Sequence, residues 1–233
     1  MRNLIFKNNV SDFSGSFNRK QKGLKALVLL VPIIFILSGC SNPYKNLTKT
    51  EYPEKNTSII PYSLPHTDRT IIYKADMSFY KNTFGGLLII KKTEINKYRI
   101  ALTTQFGLKI FDFELYQGKL NVVSCIDQLN KKMIIKTFEE DFNLLLMQES
   151  FNQIIEMQNT DQNQKIWQLK SGKFSTYFTQ NNESVSIDNM SKRKRNSEKI
   201  SVGLYDYKKE IPGEIVLQHS NIKFKMNLKL IQQ

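Results

Sequence analysis

The sequence predicts a mainly β domain of the α+β class, in which one antiparallel sheet is accompanied by an amphipathic helix. Strand-like segments follow one another at spacings of about 10 to 12 residues, with short polar turns between them, which is typical of a meander. Within several of these segments, apolar and polar residues alternate. One stretch in the middle of the chain instead carries apolar residues at helical spacing and supplies the helix.

Residues 1–39 form a unit that precedes the predicted domain, and we interpret them as a signal peptide. A polar, basic segment leads into the apolar run 26–38, which is about the length of a signal-peptide core. That run contains Pro32 and is shorter than the roughly 20 apolar residues of a spanning helix. The following Leu37-Ser38-Gly39-Cys40 resembles a bacterial lipobox, so Cys40 is expected to carry lipid. An ordinary secretory signal or an uncleaved membrane anchor is the alternative.

Charge and cysteine content limit the partners of the exported chain. Cleavage after Gly39 removes six basic side chains and Asp12, so 28 basic and 20 acidic residues remain, with a net charge of +8. In the cell envelope such a surface suits anionic lipid head groups or acidic protein patches, and nucleic acid is not an expected partner. With Cys40 lipidated, Cys125 has no disulfide partner, and its apolar surroundings predict a buried, inert thiol.

Residues 40–68 are predicted to be the lipidated cysteine and a flexible tether, because they contain four of the six prolines and no hydrophobic period. Residues 69–233 then form one domain. Its first five predicted strands lie in RTIIYKADMSFY, GGLLIIKK, KYRIALTT, GLKIFDFELY and KLNVVSCI. Gly85 and Gly86 are predicted to mark a bulge or turn. Apolar residues alternate most regularly in the last segment, IKFKMNLKLI.

The amphipathic helix is predicted over residues 127–149, and we expect it to lie over one face of the sheet. Its apolar positions are Leu129, Met133, Ile134, Phe138, Phe142, Leu145 and Leu146. A second, short helix is predicted over residues 150–157. Beyond Lys165 the strands resume with KIWQLKS, FSTYFT, VSIDNM, KISVGLYD and EIVLQH, which gives about ten strands in all.

Side chains that could support catalysis are few, and we expect neither an enzyme nor a cofactor. His66 and His219, the latter placed in a turn, lack metal-ligand neighbours, so no metal site is predicted. The acidic cluster at 139–141 is interpreted as a solvated helix face or as a set of surface ion pairs. No nucleophile-elbow or phosphate-binding glycine motif occurs.

The basic run KRKR at 192–195 has two interpretations that the sequence leaves open. A solvated hairpin tip is one. Attraction to anionic lipid or to an acidic carrier protein is the other.

Two windows of the chain resemble the LolA/LolB family of bacterial lipoprotein carriers and receptors, and within it the outer-membrane receptor LolB. In NKYRIALTTQFGLKIFDFEL, residues 96–115, Tyr98 and Arg99 match a Tyr-Arg pair of the family. Gln105-Phe106-Gly107 then occupies the turn that carries an exposed hydrophobic residue followed by glycine. EIVLQHSNIKFKMNLKLI, residues 214–231, resembles the closing hairpin. The order of elements agrees over residues 70–231, but the chain has no clear equivalent of the Pro-rich segment of the receptor.

The resemblance implies a single curved antiparallel sheet that forms a half-open β-barrel, with the helix covering an apolar cavity. It also implies that Phe106 and Gly107 form a membrane-contact loop, since an exposed aromatic at a tight turn can enter the bilayer boundary. A core aromatic at a strand end is the alternative for Phe106. The residues expected from alternation to line an acyl-chain cavity are Leu102, Ile110, Phe224, Met226 and Leu228.

The expected protein is a monomeric, lipid-anchored receptor on the periplasmic face of the outer membrane. It would bind the acyl chains of lipoproteins, receive them from a periplasmic carrier protein and deliver them to the membrane. One alternative is a structural or sensing envelope lipoprotein of the same fold that binds a protein or lipopolysaccharide. Another is a hydrolase with an unrecognised site.

Overall fold

The computed structural model describes residues 43–44, 47–50, 69–150 and 153–232. The predicted signal peptide, Cys40 and most of the predicted tether lie outside these residues. No helix in the described ranges is both long enough and apolar enough to cross a membrane.

Thirteen strands of the described residues form one antiparallel sheet, and twelve of them lie in residues 69–232. Their spatial order is β1-β7-β8-β9-β10-β11-β12-β13-β2-β3-β4-β5-β6. The bounds are β1 Thr48–Thr50, β2 Ile71–Phe79, β3 Asn82–Glu94, β4 Lys97–Thr103, β5 Lys109–Tyr116, β6 Lys119–Cys125, β7 Gln153–Asn159, β8 Gln164–Ser171, β9 Phe174–Asn181, β10 Asn189–Lys194, β11 Ser197–Tyr205, β12 Glu214–His219 and β13 Phe224–Gln232. Two meanders, β2–β6 and β7–β13, are joined where β13 pairs with β2.

The inner face of the sheet carries a continuous apolar core, because every second side chain of a strand points to the same face. In β4 and β5, Tyr98 lies opposite Leu115, and Ile100 lies opposite Phe113. All four are buried in one cluster that extends along the sheet. The sheet is curved and open, so the predicted half-open barrel of the mainly β, α+β class is confirmed.

Helix α1, Lys132–Leu145, packs its apolar side against this face. It begins five residues later and ends four residues earlier than predicted. The ring of Phe138 lies 5.1 Å from that of Phe111 and 5.9 Å from that of Phe224. The helix therefore lies against the inner face of the half-barrel.

Two predictions of local structure are wrong because strand pairing decides them. Where a short helix is predicted at 150–157, residues 153–157 belong instead to strand β7, which pairs with β8 along its whole length and buries Met157. Gly85 and Gly86 lie inside β3 and not in a turn. A Cβ on Gly86 would lie 1.9 Å from the carbonyl oxygen of Thr103, so this glycine lets β3 and β4 pair.

Three residues of the predicted tether belong to the sheet. Thr48–Thr50 pairs with β7 as strand β1. The ring of Tyr44 stacks on that of Tyr177 with 4.0 Å between their centroids. These contacts place part of the segment along the edge of the domain.

Candidate functional site

The turn between β4 and β5 presents two apolar side chains to solvent. Phe106 is 93% exposed and Leu108 is 70% exposed. Backbone bonds close the turn, since the Gly107 amide donates to Thr104 at 3.0 Å and the Thr104 amide donates to Leu108 at 2.8 Å. Gly107 has a φ of 81°, a value that a residue with a side chain rarely adopts. Phe106 and Gly107 are therefore at a tip, and Phe106 is not a core aromatic.

The strands below this turn are tied by an ionic cluster on their outer face. Asp112 accepts from Nε of Arg99 at 2.5 Å and from Nζ of Lys109 at 2.6 Å. Burial of Asp112 raises the pKa of its carboxyl, but these two hydrogen bonds outweigh that effect and hold the pKa below its usual value. Arg99 of the Tyr-Arg pair thus fixes β4 to β5, while Tyr98 is buried on the other face.

The five residues predicted to line an acyl-chain cavity all point into the half-barrel. Leu102, Ile110, Phe224, Met226 and Leu228 are buried and belong to one apolar cluster. Phe138 of α1 packs against the same cluster, so helix side chains occupy this part of the interior.

A small gap remains between the end of α1 and strands β8 and β9. Its volume is about 20 Å³, and Leu144, Met147, Leu169 and Phe178 are among its lining residues. About 10–15 Å³ of such space is enough for one water molecule, so this gap holds little more than one water and is too small for an acyl chain. Uptake of a chain at this position requires α1 to move.

A buried carboxylate and a histidine link α1 to the sheet, and the sequence interpretation missed both. Nε2 of His219, at the end of β12, lies 2.6 Å from Oδ1 of Asp141. Asp141 is fully buried, so it is not part of a solvated face, and His219 is not in a turn. Asp141 follows Phe138 by three residues and precedes Leu145 by four. This spacing alone places it on the apolar side of the helix.

Burial gives Asp141 a pH-dependent effect on stability. It raises the carboxyl pKa from 3.8 to about 6, and the hydrogen bond with His219 opposes the rise. At pH values between 3.8 and about 6, the Asp141 carboxyl of the folded chain therefore holds a proton that the unfolded chain has released. The stabilisation is therefore complete below pH 3.8 and is lost as the pH rises through about 6. Its size is about 3 kcal/mol, at 1.36 kcal/mol per pKa unit.

The basic run 192–195 is only partly a solvated tip, because β10 extends through Lys194. Lys192 forms an ion pair with Glu149, and Arg193 is buried and pairs with Glu198 at 3.3 Å. Lys194 and Arg195 are exposed. The interpretation of the whole run as a solvated tip is therefore wrong for its first two residues.

Cys125 lies at the end of edge strand β6 and is half-buried, not fully buried as predicted. Desolvation raises the pKa of its thiol. In the described ranges, no group of three His, Cys, Asp or Glu side chains could hold a metal ion.

These features define a half-open β-barrel with a helix-filled interior and a protruding apolar turn at Phe106 and Leu108. No protein-family model matches the chain, and no curated protein matches its sequence. Two solved structures are similar to it, each with a TM-score of 0.43 and 8% sequence identity over 72% of this chain. One is a domain provisionally assigned to outer membrane lipoprotein sorting, from Vibrio parahaemolyticus, of which 85% is covered. The other is a DUF1329 family protein from Desulfovibrio piger, of which 86% is covered. The likeness is too distant to assign a function.

Proposed function

We propose that this chain is a lipid-anchored cell-envelope protein that binds acyl chains of lipoproteins in its half-barrel and delivers them to the outer membrane. The observation that carries the proposal is the exposed Phe106 on a closed turn next to an apolar interior. Cys40 would hold the protein to the periplasmic face of that membrane through the tether. A periplasmic carrier would supply the cargo, and a monomer suffices.

The turn is suited to insertion into the bilayer boundary. Burying a side chain such as Phe or Leu contributes about 1.5–3 kcal/mol. Phe106 and Leu108 lose little elsewhere, because both are already exposed and the turn is held by its own backbone bonds. A turn that already has its inserting shape avoids the entropy cost of ordering on contact.

Acyl chains would enter where α1 now packs. Each buried CH₂ contributes about 0.8 kcal/mol in the barrel and in the bilayer alike, so direction depends on small differences between the two. Displacing Phe138 and separating Asp141 from His219 raises the free energy of the loaded state. That cost weakens retention and favours release to the membrane. Transfer needs no covalent chemistry, so no enzymatic activity is proposed.

Transfer of a synthetic acylated lipopeptide to vesicles tests the proposal. The full chain is loaded with a fluorescent lipopeptide, vesicles are added, and fluorescence in the vesicle fraction is followed. Ile95 provides a matched control, because it is 82% exposed on the turn at the opposite end of β4. We expect Phe106→Ala to slow transfer at least tenfold and Ile95→Ala to leave it unchanged. Equal transfer rates for Phe106→Ala and Ile95→Ala would show that Phe106 has no role in delivery to the membrane.

A structural or sensing lipoprotein of the same fold is the second candidate. The packing of α1 against the apolar cluster favours it, since an occupied interior suits a domain that binds a partner by its surface. A chain that takes up no lipopeptide but forms a stable protein or lipopolysaccharide complex would establish this candidate instead.

A further inference from the structure

One end of the sheet carries four neighbouring connections that differ in charge from the opposite end. Strands β12, β13, β2, β3, β4, β5 and β6 are consecutive neighbours, so their connections on one side stand next to each other. Neighbouring connections are two strands, or about 10 Å, apart across the sheet. Because Leu87 pairs with Thr103, the 80–81 turn also extends about five residues further along the strand direction than the end of β4. Together with the first two residues of β13 and of α1, these connections span residues 220–225, 80–81, 104–108 and 126–133, which we call the lysine rim.

The lysine rim combines basic and apolar side chains. Its exposed charged residues are Lys81, Lys131, Lys132, Lys223, Lys225 and Asp127. None of the five lysines forms an ion pair within the described part of the chain. Between them stand Phe106 and Leu108, together with Tyr80 at 52% and Met133 at 54% exposure. The rim therefore has a net charge of +4 around four exposed apolar side chains.

The opposite end of the same strands has no such charge. Its connections, together with the strand residues at their ends, span residues 94–97, 116–119 and 206–214. Together with Arg69, which is exposed just before β2 at the same end, they contain four acids and five bases, namely Glu94, Asp206, Glu210, Glu214, Arg69, Lys97, Lys119, Lys208 and Lys209. The excess of lysine is therefore a property of one end and not of the whole basic surface.

An open cleft of about 600 Å³ lies between two of the rim connections. Tyr80 and Ile222 supply apolar surface there, and Lys223 and Lys225 supply charge. The hydroxyl groups of Ser78 and Ser220 also line it. Ammonium and hydroxyl donors beside apolar surface match a phosphate group attached to a glycerol and its acyl chains.

We propose that the lysine rim is a docking surface for anionic phospholipid, in which the lysines bind head-group phosphates while the four apolar side chains enter the bilayer boundary. The inference deepens the proposed function and rests on it, because it makes the turn at Phe106 one part of a larger contact. Met133 lies in the first turn of α1, the helix that fills the barrel. Docking therefore also brings the N-terminal end of this helix to the membrane.

Fluorescence quenching by nitroxide-labelled lipid tests this surface. Met133→Trp and Phe106→Trp each add a reporter to the full chain, and the parent protein, whose one tryptophan is Trp167, gives the background. The vesicles contain phosphatidylcholine alone or phosphatidylcholine with phosphatidylglycerol. We expect quenching of both reporters with the anionic vesicles, and a decrease of this quenching as salt shortens the Debye length.

Charge removal supplies the matched control. A lysine near an anionic surface contributes about fivefold to the binding constant, so Lys81→Gln combined with Lys223→Gln lowers the membrane-binding constant roughly 25-fold. Lys208→Gln combined with Lys209→Gln, at the opposite end, leaves it unchanged.

Each contrary result removes a different part of the account. Quenching of Phe106→Trp that is equal in both vesicle types would overturn the anionic specificity and leave the apolar turn of the proposed function intact. Quenching of Phe106→Trp without quenching of Met133→Trp would reduce the contact to that single turn. If neither reporter is quenched by either type of vesicle, the proposal that the rim docks on a membrane is refuted. An acidic protein would then replace phospholipid as the proposed partner of the rim.

Discussion

Truncation of Phe138 measures how firmly α1 fills the half-barrel. The ring is fully buried, and four aromatic rings surround it with centroids 5.1 to 6.1 Å away. Replacing a buried Phe with Ala costs about 3–5 kcal/mol, because apolar contacts are lost and a cavity remains. We therefore expect Phe138→Ala to lower the free energy of unfolding by that amount. The measurement is urea unfolding followed by the fluorescence of Trp167, which belongs to the same apolar cluster.

Phe106→Ala is the matched control, because it makes the same chemical change on a side chain that is 93% exposed. Its expected effect on unfolding is within about 0.5 kcal/mol. The cavity left by Phe138→Ala is lined by apolar side chains and should bind a fluorescent fatty acid more tightly than wild type does. A loss of less than about 1 kcal/mol for Phe138→Ala, equal to that of the control, would refute the packing of α1 and the reasoning built on it.

Three further predictions concern single groups in the domain. In urea unfolding, wild type is expected to lose about 3 kcal/mol of stability between about pH 4 and pH 6, and Asp141→Asn should abolish that loss. An unchanged pH profile for Asp141→Asn would contradict the buried proton. Gly86→Ala should prevent folding or lower the free energy of unfolding by more than about 3 kcal/mol, because the new Cβ clashes with Thr103. A Cβ on Gly85 would be at an ordinary contact distance from its neighbours, so Gly85→Ala should cost less than about 1 kcal/mol in the same assay. Cys125 should be alkylated by iodoacetamide more slowly in the folded protein than in urea at pH 8, and equal rates by mass spectrometry would exclude its desolvation.

Features that depend on neighbours in the sequence were predictable. The alternation in β13 places Phe224, Met226 and Leu228 on the inner face, and the structure buries all three. The helical spacing of Phe138 and Phe142 likewise locates α1, although not its ends. A period of 2 or 3.6 is visible in the sequence because each strand or helix has one apolar side.

Features that depend on distant partners were not predictable. Asp141 is buried against His219, which is 78 residues away, so its charge suggested solvent. Residues 153–157 form part of strand β7 because β8 pairs with them, not because of their own pattern. Gly86 looked like a turn residue until the carbonyl of Thr103 was placed beside it. In each case tertiary contact outweighs local preference.

The position of the exposed turn at Phe106 and Gly107 was predictable. The family resemblance implied that Phe106 and Gly107 lie at the tip, with a core aromatic as the alternative for Phe106, and the structure shows Phe106 protruding there. The neighbouring lysines were not connected with it, because Lys81, Lys131 and Lys223 meet only through the order of the strands. The lipidation of Cys40 and the acyl-chain role of the interior stay predictions.

The location of other lipoproteins in cells that lack this protein tests the central claim most directly. After depletion, outer and inner membranes are separated and lipoproteins in each are quantified, with complementation by wild type, Phe106→Ala or Ile95→Ala. Delivery by this chain predicts that lipoproteins accumulate away from the outer membrane, and that wild type and Ile95→Ala restore them while Phe106→Ala does not. An unchanged distribution after depletion would contradict the delivery function.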